Sequence, residues 1–216
     1  MERYGVSNAT AQHAVKILKS EGLLESQVGS GTRVRRPRPM VGVSASYLAP
    51  PEGAPWPLWR DEAAKLGLKG TERLGKVRKV KAPDPVAHAL ELEPGTEVVL
   101  RPRVMLLDDE PVQLADSYYP ADLADGTPLA QVAKIRGGAP SVLAELGHKP
   151  AESAETVTAG MPSQEEDKAL GGLPAGVPVL RVVRTITDAD GRPVEVCLMT
   201  MDASRHRLEY RLPFHS

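Results

Sequence analysis

The chain has 216 residues, 27 Lys+Arg against 28 Asp+Glu, and 41% apolar residues, which is enough for one large or two small globular domains. A single cysteine, Cys197, excludes an internal disulfide framework. No apolar run approaches a membrane span and MERYGVSNAT is no secretory signal, so a cytoplasmic protein is expected. The near-neutral total hides an asymmetry. Residues 1–39 carry 7 Lys/Arg against 3 Asp/Glu, while the remainder carries 20 against 25, so an anionic partner is expected for the head alone.

In chain order, Ser7 precedes NATAQHAVKILKSEGLL, where Ala11, Ala14, Val15, Leu18 and Leu23 form a stripe near helical spacing. Ser7 is placed as N-cap and Gly22 as the C-terminal stop. LLESQVGSGTRVRR then reads as strand, turn and strand with Gly29 and Gly31 at the tip. Residues 37–57 hold six prolines, each extending the residue before it, and predict a semi-rigid connector with a short strand at Met40–Tyr47.

Beyond Leu58 the pattern is mixed. Helices are expected at Pro83–Leu92, Ser141–Leu146 and Ser163–Leu170, and a strand at Thr156–Ala159. One hairpin is expected from Glu97–Leu107 and Val112–Tyr119 around Asp108–Asp109. A second joins Val177–Thr187 to Val194–Asp202, with Asp190-Gly191 signalling a type I′ turn. Hairpins interspersed with helices predict an α+β domain on a largely antiparallel sheet.

The head residues YGVSNATAQHAVKILKSEGLLESQVGSGTRV resemble the winged helix-turn-helix of GntR-type bacterial transcription regulators. The resemblance implies a recognition helix in the major groove and a basic wing along phosphates. Ser7, Asn8, Thr10, Gln12 and His13 then fall on DNA-facing turns, and Lys16, Thr32, Arg33, Arg35 and Arg36 become candidates for backbone contacts. Asn8 and Gln12 stand where many relatives carry arginine, and amides suit adenine rather than guanine. Heads of this type carry further helices before the equivalent of Tyr4, so two readings stand: a start placed too late, or a head that has lost DNA binding.

The stretches RPRVMLLDDEPVQLADSYYP, APSVLAELGHKPAESAETVTAGMPS, PVLRVVRTITDADGRPVEVCL and DASRHRLEY resemble the UTRA effector-binding domain of the HutC branch. That implies a chorismate-lyase-like antiparallel fold, a homodimer and a small-molecule effector. The expected division is a truncated winged helix-turn-helix over 1–36, a linker over 37–57 and the UTRA domain over 58–216. The polar positions of phosphosugar-sensing relatives fall on Arg103, Met105, Ala115, Ser141, Leu143, Glu195 and Met201. Arginine, serine and glutamate survive at Arg103, Ser141 and Glu195, whereas an arginine, an acid and two tyrosines have become Met105, Ala115, Leu143 and Met201. A sugar phosphate is therefore disfavoured against an apolar effector with one acidic or carbonyl group. A register displaced by two residues would instead pair Arg101 with Arg103 as a phosphate clamp. Structural roles are the competing account: Asp116 pairing with either arginine, and Arg184 with Glu195.

An enzyme reading finds little to stand on. The histidines at 13, 88, 148, 206 and 215 lack metal-ligand spacing, and no phosphate loop or nucleophile elbow is present. Cys197 lies in a predicted strand, where an inert thiol is expected. No cofactor or metal is called for. The expectation is an effector-controlled DNA-binding regulator, most simply a repressor. The alternatives are a ligand-binding and dimerisation module without DNA activity, or a lyase-like enzyme.

Overall fold

The computed structural model describes residues 5–27, 31–34, 40–44 and 58–210. Helix α1 (Asn8–Ser20) starts where Ser7 Oγ accepts from the Thr10 amide at 3.1 Å, satisfying one of the donors that a helix start leaves open. Strands β1 (Leu24–Gln27) and β2 (Gly31–Val34) pair antiparallel, Leu24 opposite Val34 and Gln27 opposite Gly31. The expected tip residue Gly29 lies outside the described residues, as do Arg35 and Arg36. Strand β3 (Val41–Ser44) follows, inside the stretch read as connector.

The body is built on a seven-stranded sheet. Its strands are β4 (Gly70–Leu74), β5 (Arg78–Lys81), β6 (Glu97–Leu107), β7 (Glu110–Pro120), β8 (Pro150–Gly160), β9 (Val179–Asp188) and β10 (Pro193–Asp202). The order is β4-β6-β7-β10-β9-β8, with β5 also beside β6, and every pairing is antiparallel. One face is closed by α3 (Asp84–Ala89), which sets Val86, Ala87 and the following Leu90 on Val98, Leu100, Tyr118 and Val196. The other face is covered at one end by α4 (Ala121–Ala124), a short 3-10 turn at Pro128–Ala130 and α5 (Ala139–Glu145). At its other end α2 (Trp59–Ala64) packs Trp59 and Ala63 on Met105 and Leu107. A side chain at Gly70 would strike the Ala63 Cβ at 2.7 Å, so only glycine lets α2 lie this close to β4.

The two expected hairpins form, but the type I′ signal belongs to the other turn. Asp108 and Asp109 both have positive φ, 48° and 67°, as a type I′ turn requires. Around Asp190 only Gly191 does, at 80°. There Asp188 Oδ1 accepts from the amides of Asp190 and Arg192, and Asp188 N donates to the Arg192 carbonyl. Side-chain bonding of the aspartate thus builds a three-residue loop with a left-handed glycine at its end. Strand β8 runs well beyond the expected Thr156–Ala159. As an edge strand it is mostly exposed, so its small and polar residues carry little alternation to read.

Helix α6 (Gln164–Ala169) is fastened to β9 by its own N-terminal box. Ser163 Oγ accepts from the Glu166 amide, Glu166 Oε2 accepts from the Ser163 amide, and the same carboxylate takes two bonds from Arg181 at 2.8 and 2.6 Å. The Arg181 bond leads in lowering the Glu166 carboxyl from 4.5 to about 2. A depressed carboxylate stabilises the fold above its unfolded pKa and ceases to do so as pH falls through the folded one. Glu166→Gln should therefore lower the Tm at neutral pH and flatten the loss of Tm between pH 4.5 and about 2. Thermal scans across that range check it; parallel acid limbs for the two proteins would refute the assignment.

Candidate functional site

A cavity of about 230 Å³ opens on the sheet face between α2 and α5. This is below the roughly 300–1,000 Å³ of pockets for drug-sized ligands, room for a small molecule. Alternation along the strands sends Arg101, Arg103 and Met105 of β6, Gln113, Ala115 and Tyr119 of β7, and Glu195, Cys197, Met199 and Met201 of β10 to this face. Of the seven residues expected from the family pattern, Arg103, Met105, Ala115, Glu195 and Met201 line the cavity.

Ser141 and Leu143 are not among its lining residues. Ser141 Oγ donates to the Gly137 carbonyl at 2.9 Å and holds the turn that leads into α5. Leu143 is fully buried with Leu123, Leu129 and Tyr119, a placement worth about 1.5–3 kcal/mol of hydrophobic burial.

Register decides the arginines. Arg101 is opposite Ser117 and Arg103 opposite Ala115, whereas Asp116 sits opposite Pro102 and so on the other face. Burial raises the Asp116 carboxyl above the ordinary range, against the opposing charges of Arg78 and Arg103. Arg101 is only 5% exposed and donates to four backbone oxygens, those of Pro128, Leu129, Gln131 and Ala133, at 2.6 to 3.3 Å. Burial draws its pKa below the ordinary value, yet a guanidinium stays charged in proteins. Arg101 is thus the clamp of the 128–133 loop rather than half of a phosphate clamp. Arg184 likewise pairs with Glu155 at 2.6 Å, not with Glu195.

What remains facing the cavity is a short polar chain. Arg103 Nη2 donates to Ser117 Oγ at 2.7 Å, and Ser117 Oγ donates to Glu195 Oε1 at 2.7 Å. Ser117 is fully buried and escaped sequence reasoning, since a strand serine carries no signal of its own. Cys197 is buried beside it, Sγ at 3.5 Å, and burial pushes the thiol up, away from the reactive thiolate. Burial also holds the Tyr119 phenol well above its usual range.

At the α2 end, Trp59 Nε1 donates to the Leu106 carbonyl at 2.8 Å, and its ring stacks on His206 with centroids 6.2 Å apart. Burial lowers the His206 imidazole below its ordinary value, and its Nδ1 lies 3.0 Å from the Asp202 carbonyl. It opens β11 (His206–Glu209), which pairs in parallel with β3, His206 opposite Val41. The connector strand is therefore part of the body, and Gly42 of that strand lines the cavity.

In the head, Asn8, Gln12, Lys16 and Lys19 share one exposed face of α1. His13 lies roughly 100° round the helix from Gln12. Ser7 and Thr10 are occupied in capping, their hydroxyls 2.9 Å apart. Thr32 and Arg33 are exposed on β2. Among the described residues no group of histidine, cysteine and carboxylate side chains is arranged to hold a metal ion, and no helix is long and apolar enough to cross a membrane.

Among the described residues a helix and a two-stranded hairpin precede a cavity-bearing antiparallel α+β body. The UTRA domain family matches residues 65–207. An uncharacterised HTH-type transcriptional regulator of Streptomyces coelicolor is 30% identical, over 94% of this chain and 78% of that one. The HTH-type transcriptional regulator GgaR of Escherichia coli K12 is 26% identical over 88% and 70%. A GntR-family transcriptional regulator of known crystal structure superposes with a TM-score of 0.70 at 31% identity, covering 99% of this chain and 85% of its own. PhnF of Mycobacterium smegmatis, at 20% identity and a TM-score of 0.67, shares the fold over 98% of this chain and 88% of its own. The chain belongs to the UTRA-domain transcriptional regulators of the GntR family. The relatives named here are all transcriptional regulators.

Proposed function

We propose that this protein is a cytoplasmic repressor of the HutC branch that binds operator DNA as a homodimer and is controlled by a small amphiphilic effector in the body cavity. The observation that carries the reading is the Arg103–Ser117–Glu195 chain set in a floor of Met105, Ala115, Met199 and Met201. With Arg101 engaged by four carbonyls and Arg184 by Glu155, the sheet floor turns fewer donors to a dianionic phosphate than such a ligand wants, and the remaining lining cations, Arg60 and Lys134, stand at the rim on α2 and the loop before α5. A single carboxylate or carbonyl against Arg103, with an apolar remainder on flexible methionines, suits the lining better. An effector touching Gly42 would bias the connector strand, and paired heads must meet half-sites about one helical turn apart, so a small shift changes operator affinity.

Calorimetric titration with an aminosugar phosphate and with a medium-chain carboxylate, on wild type and Arg103→Ala, tests the effector reading. Carboxylate binding that disappears in Arg103→Ala supports it. Micromolar binding of the sugar phosphate, abolished in Arg103→Ala, overturns it. For the head, replacing Arg33, Arg35 and Arg36 by alanine should flatten the salt dependence of DNA binding by about 0.9 in log–log slope for each phosphate no longer neutralised. Replacing Asn8 or Gln12 should alter preference among operators instead. An unchanged slope in the triple variant would show that these arginines leave phosphate untouched. A second reading, a ligand module without operator binding, draws on the exposure of Ile17, Leu18 and Leu23 in the described head. Absence of any specific gel shift would favour it.

A further inference from the structure

Among the polar residues of the cavity floor that the regulator reading does not use, Gln113 stands apart by its neighbours. Gln113 of β7 lies opposite Met105 of β6 and opposite Met201 of β10, so both of its cross-strand neighbours are methionines. It is 7% exposed, its carboxamide makes no hydrogen bond with a described residue, and what exposure it keeps is to the cavity it lines. No described side chain claims the amide, so its donors and acceptor are open to whatever enters the cavity, whereas leucine or methionine at this place would continue the apolar floor. Gln113 stands two residues along the strand from Ala115, the partner of Arg103. The two polar ends are therefore separated by roughly 7 Å of apolar floor.

We propose that Gln113 is a specificity-determining residue, and that the effector is polar at both ends. Resting on the effector reading above, the assignment places a carboxylate or carbonyl at Arg103 and a neutral hydroxyl, carbonyl or amide at Gln113, with a short aliphatic spacer over Met105, Ala115 and Met201. A carboxamide both donates and accepts, so it reads the presence of an oxygen or nitrogen at that end rather than its charge. An effector apolar at the far end would leave the amide unpaired, and a site built to hydrogen-bond a ligand hydroxyl rejects the analogue that lacks it.

The test compares ω-hydroxyhexanoate with heptanoate, a pair that differs by hydroxyl for methyl at the far end. Both are titrated calorimetrically into the full chain, as wild type, Gln113→Leu, Gln113→Met and Arg103→Ala. Wild type should prefer the hydroxy acid by about ten-fold, as one hydrogen bond to a buried amide implies. Either apolar variant at Gln113 should reverse the preference while keeping the thermal transition, and two variants of different shape guard against a simple packing defect. Arg103→Ala should weaken both acids alike. Binding that Arg103→Ala abolishes but that ignores the far end in wild type and both Gln113 variants overturns the role of Gln113 and leaves the effector site standing. Binding unaffected by Arg103→Ala overturns the effector site itself. Failure of both acids to bind wild type overturns the two-ended effector.

Discussion

Arg101→Ala should lower the melting temperature by roughly 10 °C or more and weaken every cavity ligand, although Arg101 is not assigned to hold one. Four backbone oxygens between Pro128 and Ala133 converge on its guanidinium, and Leu129 beside them is fully buried. Hydrogen bonds from a charged donor are each worth about 1.5–3 kcal/mol, and a buried carbonyl left unpaired costs about 1–3. Allowing for partial relaxation and rescue by water, a total near 4 kcal/mol is expected. At about 2–4 °C per kcal/mol for a domain of this size, that gives the stated shift. Lysine should recover only part of it, because an ammonium keeps the charge but concentrates its three donors at one point, whereas the guanidinium fork spans a turn of chain. The loop so held runs on into Lys134, Ile135, Gly137 and Gly138, which wall the cavity, hence the predicted loss of binding. Differential scanning fluorimetry of Arg101→Ala and Arg101→Lys decides it. A shift below about 2 °C in the alanine variant would mean that the carbonyls find other partners.

Breaking the Arg184–Glu155 pair should cost about as much, and restoring charge balance without charge should recover most of the loss. The two side chains are 8% and 6% exposed, face each other across β8 and β9, and meet at 2.6 Å. Glu155 also accepts from the Tyr210 hydroxyl at 2.5 Å, a bond that, after burial, helps raise the phenol to about 12. Removing one partner of a buried pair strands the other charge, at about 3–5 kcal/mol, while replacing both by apolar groups of similar volume is often neutral. Urea denaturation of Glu155→Leu, Arg184→Met and the double variant should thus give two strongly destabilised proteins and a third near wild type. Singles that each lose under about 1 kcal/mol, or a double that loses the sum, would contradict a buried and mutually dependent pair.

Much of this molecule was legible in one dimension because periodicity and turn chemistry act locally. Ser7 as a cap and the two long hairpins follow from residues within a few positions of one another. Once the first hairpin is set, alternation alone assigns Arg103, Met105 and Ala115 to one face, and Glu195 and Met201 follow from the second. Short elements were missed: α2, β4, β5 and β11 are each four to six residues long, too brief for a period to declare itself.

What the sequence determined by itself was the α+β class, the antiparallel hairpins, the helix-and-wing head and the chemical types available to the cavity. Which of them do what was decided by tertiary structure. Arg101 and Arg103 are indistinguishable along the chain, but the acceptors that claim Arg101 are carbonyls 27 to 32 residues later, brought to it by the fold. Arg184 finds Glu155 rather than Glu195 because β8 pairs beside β9 in a register that no local pattern states. Ser117 becomes a bridge and Gln113 an unclaimed amide only when β6, β7 and β10 lie side by side. A side chain's type is a local property, but its partners are the groups that the whole chain places within hydrogen-bond reach, and at a site of a few buried polar atoms those partners decide the function.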